Sequence, residues 1–114
     1  MREHTLQAMP YKGEIHEKAW GHELWIINNE HYCGKLLVFK KDKSFSMHYH
    51  ILKDEAWYIS KGEFIYKYID TETASQKSVV VREGDCIHLM PGQPHQMIAL
   101  EEGSTIFEVS TQHF

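Results

Sequence analysis

The chain has 114 residues, and its 12 lysines and arginines against 16 aspartates and glutamates give a formal net charge of −4. This length supports one domain with one hydrophobic core. A mildly acidic chain without a basic stripe is a poor nucleic-acid ligand, and no apolar run approaches the ~18 residues of a membrane helix. The first 18 residues are too polar for a signal peptide or anchor. We therefore predict a cytoplasmic protein that binds neither nucleic acid nor membrane.

Short strand-like segments separated by turn signals follow one another along the chain. The predicted strands cover residues 23–27, 35–40, 44–50, 56–60, 64–69, 77–82, 86–90, 95–100 and 104–110. Short strands with a turn signal every ~8–12 residues are typical of all-β sandwiches and barrels, and this number suits a small jelly-roll barrel. Residues 1–18 are predicted to be an N-terminal arm that could add an edge strand to a neighbour, and 19–114 a single barrel domain.

Two cysteines and nine histidines stand out in the composition. Cys33 and Cys86 lie in apolar strand-like stretches without the spacing of a zinc motif or a redox pair, so we predict two buried, reduced thiols. Histidine is the commonest metal ligand and the usual acid or base near neutral pH, so its abundance indicates metal binding or catalysis. The histidines without a spacing argument are predicted to be surface residues: His4, His16, His22, His31 and His113.

The segment 44–50 alternates, and alternate residues of a strand share a face. Its polar face carries His48 and His50, about 7 Å apart along a strand. The opposite face is predicted to be apolar, with Phe45, Met47 and Tyr49. A return strand would bring Glu55 beside the two histidines, and His95 follows a later tight turn. Three imidazoles and a carboxylate suit one divalent transition-metal ion per chain, such as Zn, Mn, Fe, Ni or Co, with coordination positions left open for a substrate.

These residues form two spaced motifs, His48-x-His50-x4-Glu55-x6-Gly62 and Gly84-Asp85-x6-Gly92-x2-His95. Together they resemble the cupin superfamily, which implies an all-β, double-stranded β-helix (jelly-roll) barrel. The resemblance also implies that His48, His50, Glu55 and His95 bind the metal. The chain departs from the family pattern in its turns. Asp42 and Ala99 replace a glycine and an asparagine, and Pro91 falls one place late.

A finer resemblance covers about residues 18–110. The segments 18–23, 32–35 and 106–109 are similar to type II mannose-6-phosphate isomerases, which also form the C-terminal part of bifunctional mannose-1-phosphate guanylyltransferases. Two positions differ, because His48 stands where that family often has glutamine and Gln96 where it often has arginine. Loss of that arginine favours a less phosphorylated substrate. The guanylyltransferase part is absent, so only the isomerase activity is implied.

The resemblance implies a metal-dependent aldose–ketose isomerase acting on a small-molecule carbohydrate through a metal-held cis-enediol. A base must then move a proton between C1 and C2, and we consider Lys35 and His88 for this role. The predicted substrate-binding residues are Trp57, Tyr66 and Glu108, the two aromatic rings as a stacking wall for a sugar. The family resemblance also implies a homodimer.

Two other functions fit the same motifs, since fold does not select the reaction. One is a non-catalytic cupin that binds a sugar or another small ligand. The other is an Fe or Ni dioxygenase, which can use the same set of three histidines and one glutamate. Turnover that requires oxygen would indicate the dioxygenase, and tight binding without turnover would indicate the binding protein.

Overall fold

The structure is a computed structural model in which residues 8–113 are described. These residues form nine β-strands: β1 (Glu14–Lys18), β2 (Gly21–Asn28), β3 (Cys33–Phe39), β4 (Glu55–Lys61), β5 (Glu63–Asp70), β6 (Ser75–Arg82), β7 (Cys86–Leu89), β8 (His95–Ala99) and β9 (Ser104–Ser110). No helix within this range is long and apolar enough to cross a membrane.

The strands form two antiparallel sheets. The larger has the order β1-β2-β3-β9-β4-β7 and the smaller the order β6-β5-β8. Burial alternates along β4, β8 and β9, so each of these strands turns every second side chain to the interior. The buried apolar side chains form one cluster, which includes Leu37, Phe39, Ile59, Phe64, Met97 and Ile106. The all-β jelly-roll class predicted from the sequence is confirmed.

The segment predicted as a strand over residues 44–50 is irregular. It meets the small sheet at two isolated bridges, Ser44 with Ile98 and His48 with His95. From Ser44 to His48 the segment advances four residues, whereas the opposite strand advances only three, from Ile98 to His95. The extra residue changes which side chains face inward, as in a β-bulge. Phe45 and His48 therefore both line the interior, with ring centroids 4.8 Å apart. The prediction that they lie on opposite faces was wrong.

The segment predicted as an N-terminal arm is partly built into the barrel. Residues 14–18 form β1, which pairs with β2 of the same chain through five residue pairs. The sheet thus begins before the predicted boundary at residue 18. Residues 1–7, the start of the predicted arm, lie outside the described residues.

The two cysteines differ in exposure, although both carry free thiols. Cys33 is buried, as predicted, whereas Cys86 is exposed. Cys86 pairs across strands with Tyr58, which is itself exposed, so both lie on the outer face of the large sheet. The prediction of two buried thiols was therefore wrong for Cys86, because an apolar stretch on an edge strand does not tell which face is covered.

Strand β6 forms a free edge of the small sheet. It pairs with β5 along its whole length of eight residues. Three consecutive valines, Val79, Val80 and Val81, lie near its end, and the first two are exposed. The chain therefore presents an apolar strand edge whose outer backbone groups have no partner strand in the described residues.

Several turns have left-handed backbone, among them those at Asp42 and Gly62. Asp42, which stands where the cupin pattern has a glycine, has φ = 65°. Aspartate is one of the few residues other than glycine that adopts this region readily, so the departure keeps the turn. Gly62 joins β4 to β5 with φ = 79°, and a Cβ there would lie 2.2 Å from the Ser104 Oγ. This turn therefore requires glycine for both conformation and space.

The variants Gly62→Ala and Gly84→Ala separate backbone strain from steric overlap. Both glycines have positive φ (79° and 97°), so alanine costs about 1–2 kcal/mol at either position. A Cβ at Gly84 meets nothing within 4 Å. We expect Gly62→Ala to reduce the free energy of unfolding by about 1–3 kcal/mol more than Gly84→Ala, as measured by urea denaturation. Equal losses would contradict the close approach of β9 to this turn.

Candidate functional site

The inner face of the large sheet changes from apolar to polar along its strands. In its apolar part, Leu37 of β3 pairs with Ile106 of β9. Two residues further along, Glu108 pairs with Lys35 on one side and Trp57 on the other. Residues two apart in a strand share a face, so the alternation that builds the core also buries Lys35 and Glu108, each only 2% exposed.

These polar side chains line a cavity of about 150 Å³. Aromatic rings from Trp20, Phe45 and Trp57 and imidazoles from His48, His50 and His113 contribute to its wall. Its buried charged groups are Glu23, Lys35, Lys53, Glu55 and Glu108. A larger hollow of about 290 Å³ between β1 and β2 contains none of the predicted site residues. Of these two spaces, the small cavity is the one that the predicted site residues line.

The structure brings the four predicted metal ligands together. His48 and His95 exchange two backbone hydrogen bonds of 3.1 and 2.9 Å, which places their ring centroids 4.8 Å apart. His50 lies 5.3 Å from His48 between centroids, and its Nε2 is 3.8 Å from the Glu55 Oε2. His95 packs behind His48 and is 2% exposed, away from the cavity surface.

Two of these imidazoles are oriented by backbone carbonyls. The Nδ1 atoms of His48 and His95 lie 2.9 Å from the carbonyl oxygens of Ser46 and Gln93. A carbonyl oxygen only accepts, so each Nδ1 donates and each neutral ring keeps a lone pair on Nε2. Metal-binding histidines usually have such a partner on the other nitrogen. The buried Nε2 of His95 has no hydrogen-bond partner among the described residues.

Burial keeps the imidazoles of His95 and His50 uncharged. It lowers the pKa of His95 to about 4, with His48 acting in the same direction. Burial also lowers the pKa of His50, and nearby Lys53 and His48 add to the effect. Both rings are therefore neutral near pH 7, which is the form that ligates a metal.

The donor set fits a divalent first-row metal ion in its chemistry. The unpartnered Nε2 of His95 fits as well, because a buried polar atom without a partner is costly unless something binds it. Within residues 8–113, however, no group of three or more His, Cys, Asp or Glu side chains has an arrangement that could hold a metal ion. His48, His50 and Glu55 line the cavity and His95 lies behind His48, so the four side chains would have to draw closer to share an ion.

A network of buried charges occupies the rest of the cavity. The Lys53 Nζ lies 2.9 Å from the Glu108 Oε2 and 3.9 Å from the Glu55 Oε1. The Trp57 indole N–H donates to both carboxylates, at 3.2 and 3.3 Å. Burial raises the pKa of Glu55 to about 7, and neighbouring Glu108 adds to the rise. Burial opposes ionisation of Glu108 too, but Lys53 and Lys35 outweigh it and lower its pKa.

Two predicted site residues lie outside the cavity. His88 pairs with Ala56, which stands between the inward-facing Glu55 and Trp57, so His88 is on the outer face of β7. Its exposed ring lies 2.8 Å from the Asp54 Oδ1. Tyr66 belongs to the apolar core, where its ring stacks on Tyr68 with centroids 5.2 Å apart. The structure thus places neither residue where it could contact a ligand in this cavity.

The sequence did not indicate that Glu23, Lys53 and His113 line the cavity. Glu23 pairs with Lys35 across 3.2 Å, and strand alternation along β2 could have indicated its inward position. Lys53 lies in the spacer between His50 and Glu55, where no periodicity exists to read. His113, predicted to be a surface residue, lines the cavity instead, and no sequence signal marks it.

The raised pKa of Glu55 gives a pH prediction for protein stripped of metal by a chelator. The folded-state pKa of about 7 lies above the ordinary glutamate value of about 4.5, so the folded state holds the extra proton. The contribution of Glu55 to stability therefore falls as the pH rises from about 4.5 to about 7. We expect Glu55→Gln to match the wild type near pH 4.5 and to exceed its free energy of unfolding at pH 8.

Urea denaturation at several pH values measures this difference. Glu72→Gln, which alters an exposed carboxylate between β5 and β6, is the matched control. A wild type that remains as stable as Glu55→Gln at pH 8 would show that the ionised carboxylate is well accommodated without a metal.

Comparison with known proteins adds a family and a fold. The profile of a family described as "Cupin domain" matches residues 35–110, about two thirds of the chain. A search of curated proteins finds no match.

Among solved structures, Bacillus subtilis oxalate decarboxylase is similar. A structure from a study of its Mn(II) centres is 22% identical, with a TM-score of 0.76 over 88% of this chain and 27% of that chain. A tryptophan-to-tyrosine variant of the same enzyme is 23% identical, with the same TM-score and coverage. A third oxalate decarboxylase structure, concerned with substrate binding and reaction specificity, gives the same values as the first. The chain thus spans about a quarter of the length of these proteins, and the likeness establishes the fold alone.

Proposed function

Since this chain belongs to the cupin family, we propose that its polar cavity is a metal-dependent active site for aldose–ketose isomerisation of a small sugar. The observation that carries the proposal is the position of three metal-donor side chains, His48, His50 and Glu55, in the wall of a cavity that a buried lysine also lines, with the unpartnered buried nitrogen of His95 behind them. A divalent ion held by His48, His50, Glu55 and His95 would polarise the carbonyl and hydroxyl oxygens of an open-chain sugar.

Lys35 is the residue to which we assign proton transfer. Its Nζ lies 3.2 Å from the Glu23 Oε1 and 5.0 Å from the centroid of the Trp25 ring. Burial opposes ionisation of Glu23, but the pairing with Lys35 outweighs this and lowers the pKa of the Glu23 carboxyl. The paired Lys35 can donate a proton to a substrate oxygen. It acts as a base only after that proton has left.

The dimensions of the cavity favour a small substrate. Its volume of about 150 Å³ lies below the 300–1,000 Å³ of ordinary ligand pockets. Gln96, which stands where the related isomerases often have arginine, donates its side-chain amide to the Phe45 carbonyl oxygen at 2.9 Å and does not line the cavity. These two facts support an unphosphorylated sugar, or one whose phosphate stays outside.

The proposed ligand set predicts which variants lose the metal. We expect His50→Ala and His95→Ala to reduce bound metal at least tenfold in elemental analysis after Mn²⁺ loading, because each removes a donor. Mn²⁺ is the first ion to test, since the oxalate decarboxylase that shares the fold has Mn(II) centres. His88→Ala, which removes an exposed histidine on the outer face, is the matched control. Unchanged metal content in both ligand variants would reject the site.

The proposed reaction predicts deuterium exchange. Metal-loaded protein incubated in deuterated water without oxygen, with mannose 6-phosphate or a panel of free aldoses, should place deuterium at C2 of the sugar and form ketose, as read by NMR. Lys35→Met should retain the metal and reduce exchange at least 100-fold, the lower range for a positioned acid or base. Lys77→Met, on the exposed edge strand β6, should exchange at the wild-type rate.

The same experiment separates the competing functions. Sugar binding without exchange at full metal occupancy would indicate a binding protein. Oxygen consumption in an aerobic assay, without exchange in its absence, would indicate a dioxygenase. Exchange that survives in Lys35→Met would leave the isomerase intact and remove Lys35 from the proton transfer.

A further inference from the structure

The segment after β9 is fastened to the barrel at both of its ends. The Thr111 backbone N–H donates to the Asp54 carbonyl oxygen at 2.9 Å, and the Asp54 N–H donates to the Thr111 Oγ1 at 3.1 Å. Two residues later, two hydrogen bonds join the Asn28 side chain to the backbone of His113, and we call this pair of bonds the clasp. The Asn28 Nδ2 donates to the His113 carbonyl oxygen at 3.1 Å, and its Oδ1 accepts from the His113 N–H at 3.0 Å. The last described residue thus has a fixed backbone.

The clasp holds the His113 imidazole in the cavity wall. Its ring centroid is 5.4 Å from that of Trp25 and 6.4 Å from that of His50. The ring also lines a neighbouring surface hollow, and the two spaces share His50, Lys53 and His113. His113 therefore forms part of the partition between the cavity and this outer hollow.

The hydrogen bond to Lys53 fixes where the ring carries its proton. The Lys53 Nζ lies 3.0 Å from the His113 Nδ1, and an ammonium group only donates, so Nδ1 accepts. Burial lowers the pKa of His113 to about 4, with Lys35 and Lys53 adding to the effect, so the ring is neutral and its proton lies on Nε2. Among residues 8–113 the His113 ring bonds through Nδ1, and its Nε2 is not one of the buried atoms that lack a partner, so the Nε2–H is open to solvent or to a ligand.

We propose that His113 is a ligand-contacting, specificity-determining residue of the cavity, whose Nε2–H donates to an oxygen atom of the bound substrate. The inference rests on the proposed function in that the substrate carries hydroxyl or carbonyl oxygens. It assigns His113 no part in holding the metal. The chain thus completes its ligand site with a residue outside both cupin motifs.

The test uses zinc-loaded protein, because Zn²⁺ is diamagnetic, and D-mannose, D-fructose and mannose 6-phosphate as probes. His113→Gln keeps an N–H donor near the Nε2 position, and His113→Phe keeps the ring without a donor. We expect His113→Phe to weaken binding of the bound sugar about tenfold by calorimetry and His113→Gln to weaken it less than threefold. Both variants should retain the wild-type zinc content. His31→Phe, which alters an exposed histidine, should bind like the wild type.

A second readout does not depend on the sugars. Long-range proton–nitrogen NMR of the imidazole rings should show His113 as a neutral Nε2–H tautomer at pH 7, and its signals are assigned by their loss in His113→Gln. A ring that carries its proton on Nδ1 at pH 7 overturns the proposal.

The outcomes distinguish failure of the His113 contact from failure of the proposed function. If the wild type binds a sugar and His113→Phe binds it equally well, the contact assigned to His113 is overturned and the proposed function stands. If the wild type binds none of the three sugars, the proposed function fails and the contact fails with it. Loss of zinc in His113→Phe overturns the inference, since His113 would then support the metal ligands.

Discussion

The pair of backbone hydrogen bonds between His48 and His95 is the interaction on which the rest of the site depends. It joins the irregular segment between β3 and β4 to β8 of the small sheet, and so it connects the two sheets on this side of the barrel. Residues directly opposite each other in antiparallel strands project their side chains to the same face. One backbone contact therefore closes the fold and sets two of the four donor imidazoles side by side.

The interior of the barrel has an apolar part, which stabilises the fold, and a polar part, which contains the candidate site. The apolar part holds Phe39, Ile59 and Phe64 with almost no exposure, and burial of such side chains contributes about 1.5–3 kcal/mol each. The polar part holds two buried lysines and three buried glutamates, and desolvating charges is unfavourable even when they are paired. The paired geometry of Lys53 with Glu108 and of Lys35 with Glu23 limits this cost without removing it. The apolar part therefore stabilises a site that would not persist alone.

The sequence predicted most of the architecture because strand alternation and turn residues are local signals. The all-β class and most of the strand positions follow from them, and the family motifs named four side chains, those of His48, His50, Glu55 and His95, that lie near one another in the structure. The errors arise where position depends on partners distant in sequence. Phe45 faces inward because of one extra residue opposite β8, and His88 faces outward because of its register with Ala56.

The residues missed from the sequence have the same origin. Lys53 lies in an irregular loop without periodicity, and His113 reaches the cavity through a clasp with Asn28, 85 residues away in the chain. Neither position can be read from neighbouring residues. Glu23 differs, because its alternation on β2 was available and points it toward Lys35. Tyr66 was predicted to bind the substrate but packs in the apolar core. An aromatic residue in a strand can pack in a core as readily as against a ligand.

The free edge of β6 bears on the behaviour of the protein in concentrated solution. An eight-residue edge strand with three consecutive valines is a template for pairing with another chain. Lys77 precedes the valines, and its charge on two approaching copies opposes such pairing, whereas the Arg82 guanidinium after them is paired with Glu63 at 2.9 Å. This protection is electrostatic and weakens as salt screens it. High ionic strength is therefore the condition in which this edge would begin to recruit further copies, and low salt is the better choice for keeping the protein dispersed.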